Sequence, residues 1–183
     1  MLAFSVFGLI SYFTNWTLEI TTLYIAGSLL CSIDPNLHNK KSLLAATHLF
    51  FQAGMFMNFT VIIVYWGVLH DQLIHDFSGI QYIHMYTVHT LPSLAFIINW
   101  YCTDIVLYDG HRTILTLLGV LYSCVNAYAT ISTGVPLYHF LTWQDYMSPL
   151  ICVISLIILN LVFSAFVRMS RLLKPKMGKD KKK

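Results

Sequence analysis

The stretch Gly79-Ile-Gln-Tyr-Ile-His-Met-Tyr-Thr-Val-His-Thr-Leu-Pro-Ser-Leu-Ala-Phe-Ile-Ile-Asn-Trp-Tyr101 decides how the chain is read. It is long and apolar enough to cross a bilayer, yet it carries His84, His89, Tyr82, Tyr86 and Pro92. Hydrocarbon penalises such groups unless they face a protein interior or a water-filled cavity. At helical periodicity Tyr82, Tyr86, His89 and Ser93 share one stripe, so this helix has a polar, aromatic face and must be enclosed by other helices.

The surrounding composition supplies those helices. Of 183 residues, 57% are hydrophobic and only 10% charged, far below the roughly 25% charged of soluble domains. The pattern predicts an all-α, polytopic transmembrane helix bundle of about five spans in a single domain, with spans near 14-33, 42-66, 80-107, 113-133 and 148-167 and a basic tail over 168-183. Of eleven Lys and Arg residues, only Lys40, Lys41 and Arg112 precede that tail. The tail suits anionic headgroups, and with no basic groove or stacking platform beside it no nucleic-acid partner is expected. Cys31, Cys102, Cys124 and Cys152 show no paired spacing and read as buried thiols. The opening run Met1–Phe13 lacks a basic leader and a small-residue cleavage site, so a cleaved signal peptide is not expected.

Two further spans carry polar stripes. Thr14, Thr17, Thr21, Tyr24 and Ser28 fall within about 80° of one another on the first, and Tyr122, Asn126, Thr130 and Thr133 within about 80° on the fourth. The plainer reading of the first stripe is hydroxyls bonded to helix carbonyls or joining helices. Met55, Met57 and the phenylalanines of span two read as packing. Span five is almost purely aliphatic and reads as lipid-facing or packing. Trp143 and Tyr146, in the loop before it, read as interface anchors.

Five alternating spans with the basic tail on the cytoplasmic or matrix side put Lys40, Lys41 and Arg112 on that same side, and the two loops without Lys or Arg opposite. Thr14, His84, His89, Thr133 and Tyr138 then converge toward the lysine-poor face, which makes a shared pocket the default expectation. His70/His75 and His84/His89 are five apart, whereas helical metal-ligand pairs stand three or four apart, so no metal is expected. No cofactor is expected either. His89 lies inside its span, where a neighbouring phenol could fix one tautomer and leave the other nitrogen as a base. Thr14 is the hydroxyl at matching depth, and it requires a positioned base to act as a nucleophile.

Three stretches resemble the androgen-induced / androgen-dependent TFPI-regulating family of multi-span membrane proteins. These are Phe13-Thr14 with its following span, Val88-His89-Thr90 ten residues before Asn99, and Thr133-Gly134 followed by Tyr138-x-Phe140-Leu141. The resemblance implies an intramembrane hydrolase of fatty-acid esters of hydroxy fatty acids, with Thr14 as nucleophile and His89 as base. Tyr82, Tyr86, Ser93, Asn126, Thr133 and Tyr138 would contact substrate, and the membrane would be endoplasmic reticulum or plasma membrane. The sequence departs from the family's pattern in several places. Family members have six spans, and only the apolar run before Thr14 stands for the first. Asn99, His70-Asp71-Gln72 and Thr130-Ile131 replace ionisable residues of the family. These losses support a second reading, a non-catalytic accessory subunit or lipid-binding scaffold of a larger membrane complex, as in the mitochondrial inner membrane. Its partners would be membrane lipids and other membrane-protein subunits.

Overall fold

The computed structural model describes residues 11–73, 75 and 78–174; most of the apolar run before Thr14 and the last nine residues of the basic tail lie outside them. The protein is all-α, 84% helical, with no strand among the described residues. Five long helices account for it: α1 (Phe13–Ile33), α2 (Lys41–Val64), α3 (Ile80–Cys102), α4 (Arg112–Thr133) and α5 (Met147–Leu173). All but α3 belong to segments that are long and apolar enough to cross a membrane. This is the make-up of an integral, multi-pass membrane protein. At 23 residues α3 is long enough too, but its imidazoles, phenols and amides lower its apolar character.

Local chemistry sets the ends of these helices. After α1 the chain turns through Pro35–His38, where Asp34 accepts a hydrogen bond from the Asn36 backbone N–H at 2.8 Å and Pro35 occupies the first turn, the arrangement expected of an acidic cap followed by a proline. The third span stops at Cys102, short of the expected 107. Thr103 turns its hydroxyl back to the Asn99 carbonyl at 2.7 Å and takes an extended backbone. At the far end, α5 runs on to Leu173, six residues past its expected limit, because Arg168 and Arg171 tolerate a helix that has left the hydrocarbon. α2 passes into a π-helical turn, Tyr65–Leu69, before a short helix at His70–Leu73.

The chain divides into two compact units, Trp16–Ile105 and a second made of the N-terminus to Asn15 together with Val106 onward. In the first, α2 is buried on every side from Phe51 to Asn58. Phe51, Phe56, Met55 and Met57 are each at most 3% exposed, as their packing role predicts. A Cβ on Gly54 would lie 2.5 Å from the Phe96 ring of α3, and one on Gly27 would lie 2.5 Å from the Thr47 hydroxyl. Small residues thus let both neighbours approach α2 closely, the usual device where lipid supplies no hydrophobic drive between helices. Tyr24, Phe51 and Phe96 pack as a trio with ring centroids 5.2 to 5.6 Å apart.

In the second unit α4 and α5 are packed neighbours. A Cβ on Gly119 would meet Leu156 at 2.5 Å, and Thr116 and Asn160 exchange hydrogen bonds at 3.1 and 3.2 Å. The Leu107 backbone N–H donates to the fully buried Ser170 hydroxyl at 3.0 Å, which ties the segment before α4 to the end of α5. The cysteines are not buried thiols: Cys102 and Cys124 are exposed, Cys31 and Cys152 half-buried, and all four are free. In an apolar helix a thiol costs little on the lipid-facing side, so burial is not required of it.

Candidate functional site

Polar side chains gather in three places. The first is a knot at the middle of α1, α2 and α3. Asn58, 1% exposed, donates through Nδ2 to the Thr21 hydroxyl at 2.9 Å and to the Gly54 carbonyl at 2.8 Å. Ser93 donates to the Asn58 carbonyl at 2.7 Å, and Thr21 to the Thr17 carbonyl at 2.6 Å. One and a half turns from Ser93, Asn99 donates to the Tyr24 hydroxyl at 2.6 Å. Of the first-span stripe, Thr21 and Tyr24 are therefore spent on joining helices and, for Thr21, on back-bonding.

The second gathering lies where α2 ends in its π-helical turn against α3. Such turns add a residue to the helical repeat and are frequent at functional sites. Here Tyr65 stacks face to face on His89, centroids 4.1 Å apart and planes 11° apart. His89 Nδ1 is 2.7 Å from the Met85 carbonyl, so Nδ1 carries the proton and Nε2 the lone pair. The Trp66 indole N–H donates to the Thr90 hydroxyl at 3.1 Å. Tyr82 and Tyr86 share a short hydroxyl–hydroxyl bond, and Tyr86 in turn lies 3.4 Å from His70 Nε2. The other His70 nitrogen, Nδ1, is buried without a hydrogen-bond partner. The predicted residues Tyr82, Tyr86 and His89 are thus brought together, and Tyr65, Trp66 and His70 join them. Those three lie where the helical period breaks, so a regular stripe could not have marked them; only the clustering of rings around His70 in sequence hinted at it.

The third gathering belongs to the second unit and closes the loop between α4 and α5. Gly134 ends α4 in the left-handed conformation (φ +69°) and returns its N–H to the Thr130 carbonyl at 2.9 Å, a role that favours glycine. Thr133 donates to the Ala129 carbonyl at 2.7 Å and accepts from the Val135 N–H at 3.3 Å. Tyr138 accepts the Phe13 N–H at 3.3 Å and the Tyr122 hydroxyl at 3.3 Å, while that same hydroxyl reaches the Ser11 carbonyl at 3.0 Å. Burial pushes the Tyr138 phenol above its ordinary pKa of 10.0, so it remains a neutral, bonded hydroxyl at physiological pH. Asn126, fully buried, accepts the Trp143 indole N–H at 2.7 Å. Trp143 itself has φ +56° and donates its backbone N–H to Ser148 at 2.9 Å. The Trp143 indole is half-buried and acts as a lock on Asn126, while its neighbour Tyr146 is exposed.

Thr14 is half-buried in the first turn of α1 and falls in the second unit, whereas His89 falls in the first. Among the described residues no three His, Cys, Asp or Glu side chains gather to hold a metal ion. Comparison with protein-family models, with curated proteins and with solved structures returns no match.

Proposed function

We propose that this protein is a non-catalytic, lipid-facing scaffold subunit of a membrane assembly. The observation that supports this reading most strongly is where the predicted substrate contacts spend their hydrogen bonds. Ser93 holds the Asn58 carbonyl, Asn126 the Trp143 indole, Thr133 the end of α4, and Tyr138 the backbone of Phe13. A site wall must offer donors and acceptors to a ligand; Ser93, Thr133 and Tyr138 spend theirs on the chain, and Asn126 spends its oxygen while its Nδ2 is buried without a partner. The exposed faces point the same way. Leu23, Ile25, Leu29 and Leu30 on α1 and Ile154, Ile157, Ile158 and Leu161 on α5 are all large and exposed, as suits contact with acyl chains or neighbouring spans. An energy-transducing membrane such as the mitochondrial inner membrane fits this reading, with the C-terminus on the matrix or cytoplasmic side.

One observation favours a second reading, the lipid-ester hydrolase. His89 has the two restraints a general base requires, a fixed tautomer and a ring held by stacking. In that reading the Thr14 hydroxyl attacks an ester carbonyl as His89 takes its proton; the C–O bond breaks and His89 passes the proton to the departing alcohol. Water then releases the acid from the acyl-threonine, with phenols such as Tyr82 and Tyr86 stabilising the oxyanion. Endoplasmic reticulum or plasma membrane would be its location.

One pair of measurements separates the two. Membranes solubilised in digitonin should carry the 21.0 kDa chain in a particle well above monomer size, and the purified chain should not hydrolyse branched fatty-acid esters above background. Hydrolysis that disappears in both Thr14→Ala and His89→Ala would overturn the scaffold and establish the enzyme.

A further inference from the structure

The second unit holds an open groove of about 360 Å³ between α4 and α5, at the small end of ligand-binding pockets. Its walls are aliphatic, from Val153, Leu156, Ile157 and Leu161 of α5. Of these, Val153, Ile157 and Leu161 are more than half exposed. A groove so open and so apolar on a span faces hydrocarbon. The polar residues on its floor are already satisfied: Thr116 and Asn160 bond each other, and Ser164 donates to the Asn160 carbonyl at 2.7 Å. They demand no polar ligand at that depth.

One end of the groove differs in charge. Arg112, which lines it there, is paired with Asp109 through one terminal nitrogen, while its Nε is buried without a partner. Arg112 also opens α4, where the helix dipole favours an anion. The stripe of α5 that forms the wall, Ile157, Asn160, Leu161 and Ser164, continues at helical spacing to Arg168 and Arg171, both exposed. By helical spacing Arg168 and Arg171 follow Ser164 by one and two turns toward the Arg112 end, and Asp109 is the carboxylate paired with Arg112.

We propose that this groove binds one anionic phospholipid, its phosphate held among Arg112, Arg168 and Arg171 and one acyl chain lying along the aliphatic wall. The site deepens the lipid-facing reading above, but it concerns the isolated chain and stands or falls without any protein partner. Arginine suits the task because its planar fork matches phosphate oxygens.

The test is native mass spectrometry of the purified full-length protein in detergent, titrated with dioleoylphosphatidylglycerol or dioleoylphosphatidylcholine. The anionic lipid should be retained at least about tenfold more tightly, since each basic residue near a headgroup contributes about fivefold. Arg168→Gln combined with Arg171→Gln should remove most of that preference. Ser164→Phe, which fills the groove without touching a charge, should weaken retention of both lipids, and a thermal melt followed by circular dichroism checks that each variant remains folded. Excess inorganic phosphate should not displace the bound lipid, because the acyl chain contributes to its hold. Equal retention of the two lipids would overturn the proposal. So would a preference that survives both variants, which would belong to the lysine tail, and so would displacement by phosphate alone.

Discussion

The same two helices, α2 and α3, meet in two different ways along their length. Around Gly54 and Asn58 they cross closely: Phe96 occupies the space a side chain on residue 54 would need, and Asn58 and Ser93 tie the backbones together out of contact with the surroundings. A few turns along, at the π-helical turn, they meet through rings. Tyr65 lies on His89, Tyr86 meets Trp66 and His70 edge to face, and Trp66 is tilted against His70, whose Nδ1 has no hydrogen bond. At the crossing, the side-chain donors of Thr21, Asn58 and Ser93 all end on other parts of the chain. At the π-turn, the Nδ1 of His70 is buried without a partner. The contrast teaches that a polar stripe on a membrane span carries no functional meaning until its partners are known, since hydroxyls and amides that look like a site wall serve equally well as ties between helices.

The largest effect should come from crowding the close crossing. Gly54→Leu forces the Phe96 ring out of a fully packed position and should destabilise the protein by about 3 kcal/mol, in the upper range for overpacking. The melting temperature in detergent reads this, and Gly54→Leu combined with Phe96→Ala should recover part of the loss. Full stability in Gly54→Leu alone would mean the helices do not approach as closely as the structure has them.

A tie of the closed kind in the other unit gives the next effect. Trp143→Phe keeps a ring but strands the buried Asn126 oxygen, at a cost of about 1–2 kcal/mol. Should the indole serve only as an interfacial anchor, that substitution would cost much less, and Tyr146→Phe would match it. Tyr138 supplies a smaller, pH-dependent counterpart. Its pKa is raised in the folded protein, so its contribution is fully present below the unfolded value of about 10 and is lost as pH rises through the higher folded value. Stability should therefore decline above pH 10 more steeply in the wild type than in Tyr138→Phe, as read by thermal melts across pH 8 to about 12.

Much of the architecture was legible in the residues. Long apolar segments separated by short polar turns dictate helices in a bilayer, and the first and fourth spans end at Ile33 and Thr133, as expected. Thr103 concealed the end of α3, because a threonine continues a helix or stops it according to where its hydroxyl turns. The π-helical turn left no trace in the periodicity, since a single extra residue shifts the stripe without breaking its apolar character. The candidate site was legible only as stripes. Tyr82, Tyr86 and His89 sharing a face followed from helical spacing alone. That Ser93 would meet Asn58, that Asn126 would meet Trp143, or that Tyr138 would hold Phe13 depended on neighbours 35, 17 and 125 residues away, and no local pattern encodes such pairings.

The most direct test compares two coupling energies measured by double-mutant cycles in detergent unfolding. One cycle pairs Thr21→Val with Asn58→Ala at the knot; the other pairs His70→Ala with Tyr86→Phe at the π-turn. Hydrogen bonds between membrane helices couple by about 0.6 kcal/mol on average and about 1.7 at most. The account predicts a value in that range at the knot and one below about 0.3 kcal/mol at the π-turn, where the 3.4 Å contact is long. No coupling at Asn58, together with strong coupling between His70 and Tyr86, would contradict it.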